Sequence, residues 1–112
     1  MQLTKSLEGT AKIEKGDLTN YPAQEICLEY YMLEVDSCNF DLERQKLYGI
    51  QVVKTERDYS KKTSTETELI PELSPNKEEV KEILKKLILN KVTPICLVNV
   101  LEDIVTQKSF NM

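Results

Sequence analysis

The sequence of 112 residues contains no histidine. Histidine is the most frequent general base and a frequent metal ligand, because its side chain changes charge near neutral pH. Its absence excludes a serine–histidine triad, a cysteine–histidine dyad and a histidine zinc site within one chain. The three glycines, Gly9, Gly16 and Gly49, are far apart, which excludes a glycine-rich phosphate-binding loop. We therefore expect a protein that is not an enzyme and holds no cofactor or metal.

Long apolar segments are also missing. No run approaches the roughly 20 apolar residues needed to cross a bilayer, and residues 1–16 lack the apolar centre of a secretory signal. The three cysteines, Cys27, Cys38 and Cys96, are an odd number without a Cys-x-x-Cys pair. That pattern fits neither a disulfide framework nor a zinc site. We expect reduced thiols, a cytoplasmic location and no membrane partner.

The charge balance is mildly acidic, with 15 basic and 19 acidic residues and a formal net charge of −4. Nucleic-acid binding depends on a basic surface, so a nucleic-acid partner is not expected. The lysines within residues 77–86 alternate with glutamates, which is typical of a solvated helix face. The expected partner is therefore another protein or a second copy of the chain.

A chain of this length, with 40% hydrophobic residues, is expected to form a single domain around one modest core. Its parts are predicted as a weakly ordered start or edge strand at residues 1–23, a sheet at 24–70, a helical pair at 74–105 and a loose tail at 106–112.

The segment of residues 24–36 is predicted to be the central strand. Large apolar side chains alternate onto both of its faces, for example Tyr30 on one and Tyr31 on the other. A strand that is apolar on both sides belongs in the interior of a sheet. Residues 2–14 alternate apolar and polar side chains, which predicts an edge strand, with a frayed terminus as the open alternative.

Two further strands are predicted. The first spans residues 45–56 and contains Gly49, which marks a bulge or a close backbone approach. The second spans residues 63–70, is rich in threonine, and is expected at an edge. Pro71 is predicted to end it, because proline cannot donate a hydrogen bond to a neighbouring strand. Short polar links between the strands predict an antiparallel meander.

Two amphipathic helices are predicted within residues 74–105. Ser74 is the predicted N-cap of the first, followed by Pro75, and Asn90 is the predicted left-handed residue at its end. Thr93 is predicted to cap the second helix, which Pro94 opens. The fold class is α+β: an antiparallel sheet of three to four strands followed by two C-terminal helices packed on one face.

Three segments of the chain carry a resemblance: EYYMLE at residues 29–34, LYGIQVVK at 47–54 and LILNKVTPICLVNVLED at 87–103. They match a YYL-type strand, a YGI- or YGV-type strand and an Asn-Lys-Val-Thr-Pro turn before a leucine-valine helix. This pattern resembles a small uncharacterised family of clostridial-type bacterial proteins of unknown function. The resemblance covers residues 24–105 and implies the architecture but no activity. The chain departs from the family pattern at Cys96, near which relatives carry a histidine.

Several residues invite a chemical interpretation. Cys96 falls in the predicted first turn of the second helix, where the positive helix end can lower a thiol pKa. Without a histidine base, packing as a small hydrophobe is the simpler interpretation of this cysteine, as it is for Cys27 and Cys38. Glu102 and Asp103 are adjacent on a helix and point about 100° apart, so they are interpreted as a solvated pair.

Tyrosines on a sheet can stack on the bases of single-stranded RNA. Here Glu29 and Glu34 flank Tyr30 and Tyr31, which favours a core or interface role. The functional hypothesis is a non-enzymatic protein-interaction or regulatory domain, with a homodimer as one form. The alternatives are a thiol-based sensor or enzyme using Cys96, and an RNA-binding sheet. The candidate interaction surface comprises Cys27, Glu29, Tyr31, Gln51, Asn90, Thr93 and Pro94.

Overall fold

The structure is a computed structural model that describes the backbone of residues 2–13, 23–38, 44–58 and 62–110, and the side chains of 3–13, 25–36, 46–57 and 62–104. Four strands precede two helices in the chain. The elements are β1 (Gln2–Ile13), β2 (Ala23–Cys38), β3 (Arg44–Asp58), β4 (Thr63–Ser74), α1 (Lys77–Leu89), a 3-10 turn (Pro94–Cys96) and α2 (Leu97–Phe110).

The strands form one antiparallel sheet in the order β1-β2-β3-β4. This arrangement confirms the predicted α+β class and the meander. It also places the strand that is apolar on both faces, β2, in the interior. The start of the chain is the edge strand β1, with an irregularity at Glu8 between the pairs made by Leu7 and Gly9.

The prediction that Pro71 ends the last strand is wrong, because β4 continues to Ser74. Proline is tolerated here since β4 is an edge strand, where one row of N–H groups has no neighbour. The pairing with β3 is irregular around the proline: Ile50 pairs with Ile70, and Tyr48 pairs with Ser74.

This irregularity explains Gly49. A Cβ atom at Gly49 would overlap the backbone oxygens of Ile70 and Pro71. The predicted close backbone approach at this glycine is therefore confirmed, and its partner is β4.

The hydrophobic core lies between the helices and one face of the sheet. The α1 stripe contributes Val80, Ile83, Leu84 and Leu87, all buried, as the three- and four-residue spacing requires. The second helix adds Leu97 and Leu101. The two central strands of the sheet contribute buried, largely apolar side chains to the same core: Ile26, Leu28, Tyr30, Met32, Ile50 and Val52.

Both predicted ends of α1 are displaced. Asn76, not Ser74, is the N-cap, because its Oδ1 accepts hydrogen bonds from the N–H groups of Glu78 and Glu79 at 3.1 and 3.2 Å. The Ser74 Oγ instead accepts the Asn76 N–H at 3.0 Å. Proline at residue 75 precedes the cap and does not open the helix.

The left-handed residue at the end of α1 is Lys91, with φ of 51°, and not Asn90, whose φ is −96°. The N–H of Val92 donates to the Leu87 carbonyl at 3.0 Å, and that of Lys91 donates to the Ile88 carbonyl at 3.1 Å. This pair of hydrogen bonds is a Schellman motif, which satisfies carbonyls at the helix end. Val92 and Leu87 are both buried, as the motif's hydrophobic contact requires.

The second helix begins more gradually than predicted. Pro94 opens a 3-10 turn, and Thr93 occupies its N-cap position without a side-chain hydrogen bond. The α-helix proper starts at Leu97 and continues to Phe110, so part of the predicted loose tail is helical. The corner between the helices is fixed to the sheet, because the Tyr30 hydroxyl donates to the Val92 carbonyl at 2.8 Å.

Candidate functional site

The helices cover one face of the sheet, and the opposite face is named the open face. Its centre is a row of cross-strand neighbours, one from each strand: Leu7 pairs with Tyr31, Tyr31 with Gln51, and Gln51 with Leu69. Side chains of directly paired residues in a sheet point to the same face. This row, the central row, therefore presents two leucines at the sheet edges and two polar-tipped side chains between them.

The leucines of the open face are exposed. Leu7 is 53% exposed and Leu69 is 44% exposed, and Leu3, two residues before Lys5 on β1, is 55% exposed. Scattered exposed leucines are ordinary on a protein surface, but these share one sheet face. Leu33 and Val35 lie on the same face and are buried. The fold therefore covers part of the open face, and Leu3, Leu7 and Leu69 are the large apolar side chains that it leaves exposed there.

Tyr31 is held in place at the middle of the open face. Its hydroxyl donates a hydrogen bond to Glu29 Oε2 at 3.1 Å, and the Lys5 ammonium lies 4.5 Å from the centre of its ring. The hydrogen bond to Glu29 raises the pKa of Tyr31, because the carboxylate favours the protonated phenol. A fixed aromatic side chain loses little entropy when a partner binds it.

One end of the open face is polar. A shallow depression of about 270 Å³ lies there, and it is lined by Glu25, Cys27, Thr55, Arg57 and Thr63. At this end Lys12 forms an ion pair with Glu25 at 2.6 Å, and the lysine holds the pKa of that carboxyl below its usual value.

The thiol of Cys27 lies in the same depression, and its Sγ donates to Glu25 Oε1 at 3.7 Å. Burial raises the pKa of Cys27, and the negative charge of Glu25 raises it further. Since the thiolate is the reactive form of cysteine, this environment disfavours nucleophilic chemistry at Cys27.

The predicted interaction surface divides into two groups. Four of its members, Cys27, Glu29, Tyr31 and Gln51, lie together on the open face. The other three belong to the helical corner on the opposite side of the sheet, where Asn90 is exposed, Thr93 is half-buried and Pro94 is buried. The structure therefore does not bring all seven residues into one site.

The tyrosines do not form one platform. Tyr30 is buried on the helix-covered face, and burial raises its pKa to about 12. Tyr48 pairs with Glu34 on that same face, and Tyr59 lies outside the described residues. Only Tyr31 among the described tyrosines is on the open face, which weakens the RNA-binding interpretation.

The cysteines also separate. The packing interpretation of Cys96 is wrong, because its side chain is exposed. The side chain of Cys38 lies outside the described part of the chain. Cys27 is half-buried, and packing accounts for it. Glu102 and Asp103 are both exposed on α2, as a solvated helix face requires.

A buried lysine on the helix-covered face is paired with two glutamates, and these ion pairs account for its burial. Lys54 is 8% exposed and contacts Glu56 at 2.8 Å and Glu66 at 3.3 Å. Opposite charges compensate each other when they leave water. Among the described residues, no group of three or more cysteine, aspartate or glutamate side chains could hold a metal ion.

The leucines of the open face were missed by the sequence-based choice of surface. A signal for two of them exists, since Leu3 and Leu7 alternate with polar residues, as on a half-buried strand.

Another exposed apolar set was also missed: Leu89 is 82% exposed, Ile95 is 80% exposed and Val98 is 45% exposed. This second set is named the corner patch, and it belongs to the helical layer.

Within the described residues, no helix is both long and apolar enough to cross a membrane.

Comparison with curated proteins gave no match, and comparison with solved structures gave none either. One family, described as a family of unknown function (DUF6514), matches residues 10–107. This match spans most of the chain and confirms the resemblance to an uncharacterised family. The protein is therefore a member of the DUF6514 family of unknown function.

Proposed function

We propose that this protein is a non-enzymatic protein-interaction or regulatory domain whose binding surface is the open face. The observation that carries the proposal is the set of exposed leucines around the central row, Leu3, Leu7 and Leu69. Several exposed large apolar side chains on one sheet face indicate a candidate interaction site. The fixed ring of Tyr31 supplies an aromatic contact in the middle, as interfaces commonly do.

The chemistry of the described residues supports a binding role over a catalytic one. The sequence has no histidine, and the raised pKa of Cys27 keeps the open-face thiol protonated. The free thiols of Cys27 and Cys96 fit a reducing compartment, and we place the protein in the cytoplasm. The partner is a protein or a second copy of the chain.

Affinity capture from the native cell tests this function. The wild-type chain, Leu7→Glu and Leu69→Glu serve as baits, with Leu89→Glu on the corner patch as a matched control. We expect a captured partner to be lost with both open-face variants and kept with the control. Capture that is equal for all four baits, or that depends on Leu89 alone, would contradict the proposal.

A second candidate function is favoured by one observation, the exposure of Cys96. We propose as the alternative a thiol-based sensor or enzyme in which Cys96 reacts. Titration of the folded protein with a thiol reagent tests it, with Cys96→Ser as the control. Reaction at Cys96 much faster than at a free cysteine peptide supports the alternative, and reaction at the peptide rate would remove it.

A further inference from the structure

We propose that the open face binds a second copy of the same chain, related by a two-fold axis parallel to the strands and passing between β2 and β3. The inference rests on the proposed function and names the partner of that surface. Sheets that pack face to face lie about 10 Å apart with their strands about 30° from parallel. The contact is therefore a sandwich of two four-stranded sheets with the helices on its outer sides.

This symmetry pairs the leucines. Rotation about the axis places β1 of one protomer over β4 of its partner, and β2 over β3. In the central row, Leu7 then faces Leu69 of the partner subunit, and the same contact occurs twice. Tyr31 faces Gln51 of the partner subunit, whose amide can accept and donate hydrogen bonds.

The same rotation pairs opposite charges. Glu25 and Arg57 are neighbours across β2 and β3, so Glu25 faces Arg57 of the partner subunit and the reverse pair also forms. An axis perpendicular to the strands through the central row would instead place Leu3 over Lys12 of the partner subunit. Such a contact would bury apolar surface against a charge, which is unfavourable. The pattern of the open face therefore selects the axis parallel to the strands.

The edges of the sheet carry features that oppose the other route of self-association, strand addition. β1 has an irregularity at Glu8 and exposed Lys5 and Lys12. β4 contains Pro71 and the exposed Glu66. Charges, proline and bulges are the usual protection of edge strands. Association through the face remains, because the charged side chains beside the central row, Lys5 and Glu29, are already engaged with Tyr31.

The available area agrees with a reversible dimer. Four strands spaced about 4.8 Å apart give a width of about 19 Å. The rows from Leu7 to Glu25 extend for about 20 Å, at about 3.4 Å for each of the residue steps from Tyr31 to Glu25. The face then supplies about 400 Å² per protomer, or about 800 Å² in total, which is the size of a weak, transient contact. We expect an association that depends on protein concentration.

Sedimentation equilibrium of the full chain over a concentration series tests the dimer and its symmetry. Leu7→Glu and Leu69→Lys should each weaken the dimer at least about tenfold, because each buries an unpaired charge. The double variant should recover most of the affinity, since Glu at position 7 would face Lys at position 69 of the partner. Within one protomer the two positions are about 14 Å apart across three strand spacings, so the recovery must come from the partner.

The control is Leu89→Glu on the corner patch, which should leave the dimer unchanged. Circular dichroism of each variant verifies that the exposed positions were substituted without loss of fold. A dimer that resists both open-face substitutions, that is lost with Leu89→Glu, or that is not recovered in the double variant would overturn the inference. A wild-type chain that stays monomeric would overturn it too, whereas heterologous capture that still depends on Leu7 and Leu69 would leave the proposed function intact.

Discussion

Tyr30 connects the centre of the sheet to the helical corner through one hydrogen bond, from its hydroxyl to the Val92 carbonyl at 2.8 Å. The residue is fully buried, and burial disfavours the phenolate, so its pKa rises to about 12. This single contact therefore makes both the position of the corner and the response of the fold to alkaline pH depend on Tyr30.

Substitution of Tyr30 by phenylalanine should destabilise the protein at pH 7 by about 1 kcal/mol, because the Val92 carbonyl loses its donor. The stabilisation that wild type gains from a neutral buried phenol is complete below about pH 10, the ordinary value. It is lost as the pH rises through the folded value of about 12. Urea unfolding at pH 7 to 11 should therefore show a difference between the two proteins that shrinks above pH 10. A difference that stays constant with pH would contradict this account.

Gly49 and Gly9 should respond differently to alanine. A Cβ at Gly49 would overlap backbone atoms of Ile70 and Pro71, whereas a Cβ at Gly9 would meet only the flexible end of Ile88, with its Cδ1 at 2.6 Å. We expect Gly49→Ala to lower the free energy of unfolding by about 2 kcal/mol or more, because backbone must move. Gly9→Ala should cost less, as its neighbour can change rotamer. Equal effects in chemical denaturation would count against the observed path of β4.

At the scale of elements, the end of α1 is the feature that departs most from sequence expectation. The Schellman motif needs a left-handed residue after the C-cap, a position that usually holds glycine. Lys91 occupies it with φ of 51°, although a left-handed conformation costs a non-glycine residue roughly 1 kcal/mol. The hydrogen bonds of the motif and the burial of Val92 compensate for that cost.

Lys91→Gly should therefore stabilise the protein by up to about 1 kcal/mol, as glycine adopts this conformation without strain. The matched control is Asn90→Gly, where φ is −96° and the side-chain Nδ2 donates to the Lys86 carbonyl at 2.8 Å. The control should be destabilising. Thermal unfolding of the two variants beside wild type measures both effects, and a higher melting temperature for Asn90→Gly would refute the assignment of the left-handed residue.

At the scale of the whole molecule, the sheet has one face that determines stability and one that we assign to binding. Leu84→Ala, at 1% exposure, should lower the free energy of unfolding by about 2–5 kcal/mol. Leu7→Ala, on the open face, should change it by no more than about 0.5 kcal/mol when unfolding is measured at concentrations too low for association. A large cost at Leu7 in the monomer would show that the open face is structural.

Much of the architecture could be predicted from local patterns. The alternation in residues 24–36 placed β2 inside the sheet, and the three- and four-residue spacing from Val80 to Leu87 identified the buried stripe of α1. The predicted end of the last strand at Pro71 was wrong, because a proline either ends a strand or is tolerated on an edge strand. The edge position expected for residues 63–70 does not decide between these two outcomes. Ser74 misled the prediction too, since serine, proline and asparagine all favour helix starts and stand within three positions of one another.

The sequence alone determined the order of the elements, the central position of β2 and the lack of a histidine-based site, because each follows from the chain's local pattern or composition. Tertiary structure decided which leucines share a surface. Leu7 and Leu69 are distant in the chain, and only the register across four strands places them in one row with Tyr31 and Gln51. Tertiary structure also separated Tyr31 from Tyr30, since adjacent strand residues point to opposite faces and the helices cover only one of them.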